Sequence, residues 1–267
     1  MTRGRVAVLS GAACLLAAAA VLADAAQQDW GKYAVDDRRS GYTYAAPETR
    51  AMQDDEFDNP GSIWLASGER LWHTIDGEAG KSCASCHGEA ATTMRGVGAR
   101  YPVVDGTGKL LNVERRINQC RVGAMGARPW ALESEPLLAM TTYVKHQSLD
   151  LPVAPVTDGR AAPFFATGKA IYTSRRGQLD LACVHCHEMN HGNFLRAQRL
   201  SEGMSNGFPL YRLKWQTLGS LQRRMSACMR DIGAEPYADG ADEYVELELY
   251  LAWRARGLSV ETPAVRN

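Results

Sequence analysis

The chain has 267 residues, with 30 lysines and arginines against 30 aspartates and glutamates, six histidines and seven cysteines. This balance carries neither a basic nucleic-acid footprint nor an acidic interaction tail. After the first 25 residues no stretch approaches the ~18 consecutive apolar residues of a membrane span.

At the start, Arg3 and Arg5 precede an apolar run from Val6 to Leu22, and Ala23-Asp24-Ala25 follows with small residues where a signal peptidase reads. Residues 1–25 are therefore expected to be a cleaved export leader that takes Cys14 with it, and the mature protein to be periplasmic. Gly11 stands where a lipoprotein signal favours leucine, so no lipid anchor is expected. Residues 26–61, with Asp36-Asp37-Arg38-Arg39 and Asp54-Asp55-Glu56, are polar and weakly patterned. They read as an N-terminal arm, extended on a neighbour or partly disordered.

From Ser62 the sequence repeats itself. Gly68-Glu69-Arg70-Leu71-Trp72 precedes Cys83 as Gly168-Lys169-Ala170-Ile171-Tyr172 precedes Cys183. Arg115-Arg116 stands before Cys120 as Arg223-Arg224 stands before Cys228. Gly126-Ala127-Arg128-Pro129-Trp130 likewise matches Gly233-Ala234-Glu235-Pro236-Tyr237. The expected domains are 62–147 and 163–267, joined by a linker at 148–162 that holds Pro152, Pro155 and Gly159. Apolar residues at three- and four-residue spacing predict helices before Cys83 and Cys183, around Cys120 and Cys228 and at the end of each half, from Glu135 to His146 and from Asp242 to Arg256. Trp215, Leu218, Leu221, Met225 and Ile232 form one such stripe, with Arg224 and Cys228 four apart on its flank.

The chemistry lies in Cys83-Ala84-Ser85-Cys86-His87 and Cys183-Val184-His185-Cys186-His187. Both fit C-x-x-C-H, in which two cysteines form thioethers to the haem vinyl groups and the histidine is the proximal iron ligand. A disulfide, a zinc pair or a thioredoxin-type redox pair would account for the cysteines but not for the histidine after both. The expectation is two covalent haem c groups, held by Cys83 and Cys86 with His87 on iron, and by Cys183 and Cys186 with His187 on iron. Short helices have a small core of their own, and a haem between them supplies the missing apolar surface. The fold expected is all-α, two tandem cytochrome c-like domains.

Cys120 and Cys228 remain, at matching places in the repeat. A disulfide between them is one reading, and methionine is the usual alternative sixth ligand, but Met94, Met125, Met140, Met189, Met204, Met225 and Met229 include no matched pair. Matched positions suit matched roles, so Cys120 and Cys228 are assigned as distal thiolates, which lower the iron potential relative to methionine. His185, His191, His73 and His146 stay outside this set. Arg224 could hold an oxyanion through a bidentate contact beside a sulfur nucleophile, or instead serve a haem propionate or the solvent. Arg116 and Cys120 share its spacing, so geometry alone does not choose between the halves.

The two C-x-x-C-H motifs, Arg224-Met225-Ser226-Ala227-Cys228 and Ala234-Glu235-Pro236-Tyr237 together resemble the SoxA family, the haem subunit of the SoxAX cytochromes of bacterial sulfur oxidation, in its dihaem form. The resemblance covers nearly all of the chain after residue 25. It implies His/Cys ligation at both irons, a persulfide on Cys228, and pairing with a small monohaem SoxX-like cytochrome. The implied reaction joins thiosulfate oxidatively to a cysteine of a SoxYZ-like carrier protein, making an S-sulfosulfanyl-cysteine, with Cys228 catalytic and Arg224 in contact with substrate. An electron-transfer cytochrome without catalysis, and a dihaem thiosulfate dehydrogenase that makes tetrathionate without a carrier, are the competing expectations.

Overall fold

The computed structural model describes residues 29–267. The expected leader and Cys14 lie outside them. Lys32 to Asn267 form one compact body.

In chain order the arm contributes β1 (Ala34–Val35), β2 (Arg38–Arg39) and α1 (Pro47–Asp54). The first half follows with α2 (Ser62–His73), α3 (Cys83–His87), α4 (Ala90–Thr93) and α5 (Val97–Arg100). It continues with β3 (Val103–Val104), β4 (Leu110–Leu111), α6 (Val113–Met125) and α7 (Glu135–His146). The second half has α8 (Ala162–Thr173), α9 (Cys183–His187), β5 (Phe194–Leu195) and β6 (Gln198–Arg199). Then come β7 (Leu210–Arg212), β8 (Thr217–Gly219), α10 (Leu221–Asp231), α11 (Asp242–Arg254) and β9 (Ala264–Arg266).

The helices fit a cytochrome fold, and the strands were not expected. Three pairs are two-residue hairpins; β7 is the centre of a small sheet, antiparallel to β8 and parallel to β9. Leu218 belongs to β8, and the helix begins only at Leu221, after Ser220 caps it by accepting from the Arg223 N–H. Asn112 caps α6 in the same way, accepting from Arg115 N–H at 2.9 Å.

Each half is built on one helix crossing, α2 on α7 and α8 on α11. Gly68 and Gly168 let the backbones touch. A Cβ at Gly68 would overlap the Ala139 carbonyl oxygen and lie 2.5 Å from Tyr143 Cβ; at Gly168 it would overlap the Glu246 carbonyl oxygen and lie 3.1 Å from Tyr250 Cβ. Beside each crossing a large ring is buried, Trp72 against Tyr143 and Tyr172 against Tyr250. Past the distal helix the match continues. Ala79 and Leu179 N–H groups donate to Met125 and Ile232 carbonyls. An arginine lies over each aromatic ring of the paired Pro-aromatic steps, Arg121 on Trp130 at 3.7 Å and Arg176 on Tyr237 at 4.5 Å.

The arm is held to the second half. Asn59 Nδ2 donates to the Pro263 carbonyl at 3.0 Å, Val265 N–H donates to Gln53 Oε1 at 3.1 Å, and Thr49 Oγ1 donates to Asn267 Oδ1 at 2.8 Å. Ser40 Oγ donates to Glu261, which Asn206 and Arg266 also hold. These polar residues fill buried polar groups of the C-terminal strand and the segment before it, which is why their pattern looks featureless in sequence.

Candidate functional site

In both halves the C-x-x-C-H motif is a single helical turn, started by the side chain at its third residue. Ser82 N–H donates to Ser85 Oγ and Ala182 N–H donates to His185 Nδ1, each at 3.0 Å. His185 is thus tied to the backbone at the position where the first motif has serine, which answers why a second histidine sits there.

Each distal cysteine faces its own motif. The Cys183 thiol is pushed up to about 11, mainly by burial and next by the nearby Cys228; Cys186 is raised in the same order. In the first half burial raises Cys83 and Cys120, with Cys120 adding to the rise at Cys83 and Cys86 to that at Cys120. Cys83, Cys86, Cys120, Cys183, Cys186 and Cys228 are all free thiols. Among the described residues no three His, Cys, Asp or Glu side chains are grouped as a metal cage.

The proximal histidines differ. His187 Nδ1 bonds the Ser201 carbonyl at 2.7 Å, which leaves Nε2 for a metal. Gly203, at φ +72°, brings its backbone against the same ring, where a Cβ would lie 2.9 Å from both Cγ and Nδ1. Burial, helped by the Arg224 and Arg254 charges and opposed by the Ser201 bond, lowers the ring to about 4, so the imidazole is neutral as a ligand requires. His87 is exposed and packs on Trp72, ring centres 5.8 Å apart.

The residues fit a haem on grounds other than the motif. Tyr172 OH is buried with no partner among the described residues, and it lies beneath Arg254, whose guanidinium is 4.6 Å from the ring centre. A buried hydroxyl beside a buried arginine suits a propionate. Cys183 and Val184 pack on the cluster of Tyr172, Met225, Met229 and Leu251, and Cys83 and Ala84 on Trp72, Val113 and Met140.

The paired arginines differ as well. Arg116 donates from Nε to Tyr101 OH at 3.2 Å and from Nη1 to Gln119 Oε1 at 2.7 Å. Arg224 is half-buried, and no described residue offers its guanidinium a hydrogen bond or a carboxylate. It shares its surroundings with a buried arginine that sequence reasoning missed, Arg212, lowered to about 10 by burial and then by Arg224, while Cys228 opposes that shift. Arg212 and Arg224 bring positive charge to the neighbourhood of Cys228, with Asp231 also close to Arg212. Ser201, Gly203, Arg212 and Arg254 sit outside any motif, and only Tyr172 had a signal, its match to Trp72.

The SoxA/TsdA cytochrome c domain family matches residues 67–153, a span that includes the first C-x-x-C-H motif and Cys120 and implies covalent haem c. The L-cysteine S-thiosulfotransferase subunit SoxA of Pseudaminobacter salicylatoxidans is 46% identical over 87% of this chain and 82% of its own. The chain belongs to the SoxA family. The SoxA subunit of Paracoccus pantotrophus is 42% identical over 85% of this chain and 79% of its own. The crystal structure of SoxXA from P. pantotrophus superposes with a TM-score of 0.84 at 40% identity, covering 93% of this chain and 90% of the other. Among the described residues no helix is long and apolar enough to cross a membrane.

Proposed function

We propose that this chain is the haem-bearing subunit of a periplasmic L-cysteine S-thiosulfotransferase, with residues 1–25 as its export leader. It holds two haem c groups in two tandem cytochrome c-like domains, 62–147 and 163–267. Cys83 and Cys86 anchor the first, with His87 and Cys120 as iron ligands; Cys183 and Cys186 anchor the second, with His187 and Cys228. The repeated glycine crossings and the grouping of each distal cysteine with its own motif support this reading.

The observation that carries the assignment of chemistry to the second half is the contrast between Arg116, whose donors are engaged, and Arg224, whose donors are open. A free, half-buried guanidinium one helical turn from Cys228 holds the sulfonate end of thiosulfate, so that its outer sulfur faces the Cys228 sulfur. Arg212 adds to the positive field that draws the dianion. Cys228 works as a persulfide, whose outer sulfur is exposed to attack while the inner one stays a ligand. Overall, thiosulfate and a carrier-protein thiol give the Cys-S-S-sulfonate, one proton and two electrons. Haem c held by Cys183, Cys186, His187 and Cys228 would supply one-electron acceptor chemistry here, with a small monohaem cytochrome subunit of the SoxX kind as the next carrier.

The test is thiosulfate oxidation by the purified complex with and without a SoxYZ-like carrier thiol. Carrier-dependent turnover that disappears in Cys228→Ala supports the reading. Tetrathionate formed without a carrier would make the protein a thiosulfate dehydrogenase, and no turnover at all would leave an electron-transfer cytochrome.

A further inference from the structure

Glu202 is a carboxylate 6% exposed, in the loop that lies on the ring of His187. A carboxylate so enclosed is costly unless its oxygens are filled. The partners that fill them come from the arm: Arg39 N–H at 2.9 Å and Tyr44 OH at 2.8 Å, with Arg39 Nε at 3.4 Å. Tyr44 OH also meets His191 Nδ1 at 3.0 Å, which pins the far side of the same loop. None of these arm residues touches the motif directly.

The backbone around Glu202 does touch it. Ser201 supplies the carbonyl for His187 Nδ1, and Gly203 supplies the close backbone contact. The Glu202 carbonyl itself accepts from Arg254 Nη1 at 2.9 Å, and Arg254 reaches Glu188, next to His187, at 3.4 Å. Ser201 and Gly203 therefore fix the imidazole from one side, and Glu202 between them is anchored by a segment more than 150 positions earlier in the chain.

We infer that Glu202, Arg39 and Tyr44 are positioning residues for the proximal ligand His187, so that docking of the N-terminal arm sets the electronic state of the haem at the second motif. This rests on the second motif holding haem, as proposed above. The physical route is short. A firm Nδ1–H to carbonyl bond raises imidazole basicity and favours the oxidised iron, and a loosened loop weakens that bond.

The experiment uses the haem-loaded protein in its native complex and compares Tyr44→Phe, Glu202→Ala and Glu202→Gln. Readouts are the low-spin electron paramagnetic resonance signals, a redox titration resolved by haem, and amide exchange across residues 200–204. Tyr44→Phe and Glu202→Ala are expected to shift the g-values of the second-motif haem, raise its potential and speed exchange in that loop. Glu202→Gln keeps an acceptor and should fall between them and the parent, while the first-motif haem stays unmoved. Unchanged second-haem spectra in both Tyr44→Phe and Glu202→Ala would overturn the inference, as would an equal shift at both haems, which would indicate general loosening. If Glu202→Ala fails to accumulate, Tyr44→Phe alone still decides. No substrate is used, so failure of the thiosulfate assay would count against the proposed reaction and not against this coupling.

Discussion

Asn112 Nδ2 donates to both carboxylate oxygens of Glu248, at 3.2 and 3.1 Å, and so joins the cap of α6 in the first half to α11 in the second. Gln222 Nε2, in the first turn of α10, donates to the same carboxylate at 3.0 Å. One buried acid thereby ties together the starts of the two helices that carry Cys120 and Cys228. It lines a small cavity with Glu114 and Lys145.

That acid gives a pH prediction. Burial, with Glu114 nearby, pushes Glu248 up to about 7, while Asn112, Gln222 and Lys145 oppose the rise. Burial also raises Glu114 and lowers Lys145. Because the folded carboxyls hold protons that the unfolded chain has released, the stability they contribute is complete below the ordinary glutamate range. It is lost as pH rises through about 7. Urea unfolding of the loaded protein should show Glu248→Gln gaining stability over the parent at pH 8, on the order of 2 kcal/mol. Little difference should appear at pH 4.5. An equal effect at both pH values would remove Glu248 as the titrating group.

At the site, Arg224→Ala should cost thiosulfate turnover about 1.5–3 kcal/mol in kcat/KM, the range for a hydrogen bond to a charged group. Arg224→Lys should recover only part, since a point charge lacks the planar fork. Arg116→Ala, whose guanidinium serves Tyr101 and Gln119, should change turnover little. Steady-state kinetics that place the larger loss at Arg116 would move the chemistry to the first half.

Gly203→Ala combines a positive φ with a Cβ pressed onto His187. The expected cost is about 1–3 kcal/mol, with altered low-spin spectra at the second haem. Covalent attachment through Cys183 and Cys186 should survive, which a haem stain on a denaturing gel reads directly.

Gly68→Ala and Gly168→Ala each push a methyl into a facing helix backbone. Each should lower stability by about 1–3 kcal/mol, with Gly168→Ala the more severe because its overlap is deeper. Thermal unfolding followed at 222 nm would rank them.

How much of this was legible follows from where each constraint lies. The repeat was readable because Gly68 and Gly168, Trp72 and Tyr172, and Cys120 and Cys228 each do one local job twice. Leu218 was misplaced on the helix because a short apolar stripe does not distinguish a strand leading into a cap from the helix after it. Glu202 was invisible because a buried carboxylate announces itself only through partners, and its partners are Arg39 and Tyr44. The arm's alternatives, extended on a neighbour or partly disordered, stay open in sequence for the same reason: its residues satisfy polar groups elsewhere and bury little apolar surface of their own.

The arm's seat has a consequence for the order of assembly. Its anchors are Glu202, Glu261, Pro263 and Val265, so the segment synthesised early has no complete binding surface until the last strand has been made. Docking of the arm therefore waits on the C-terminal strand.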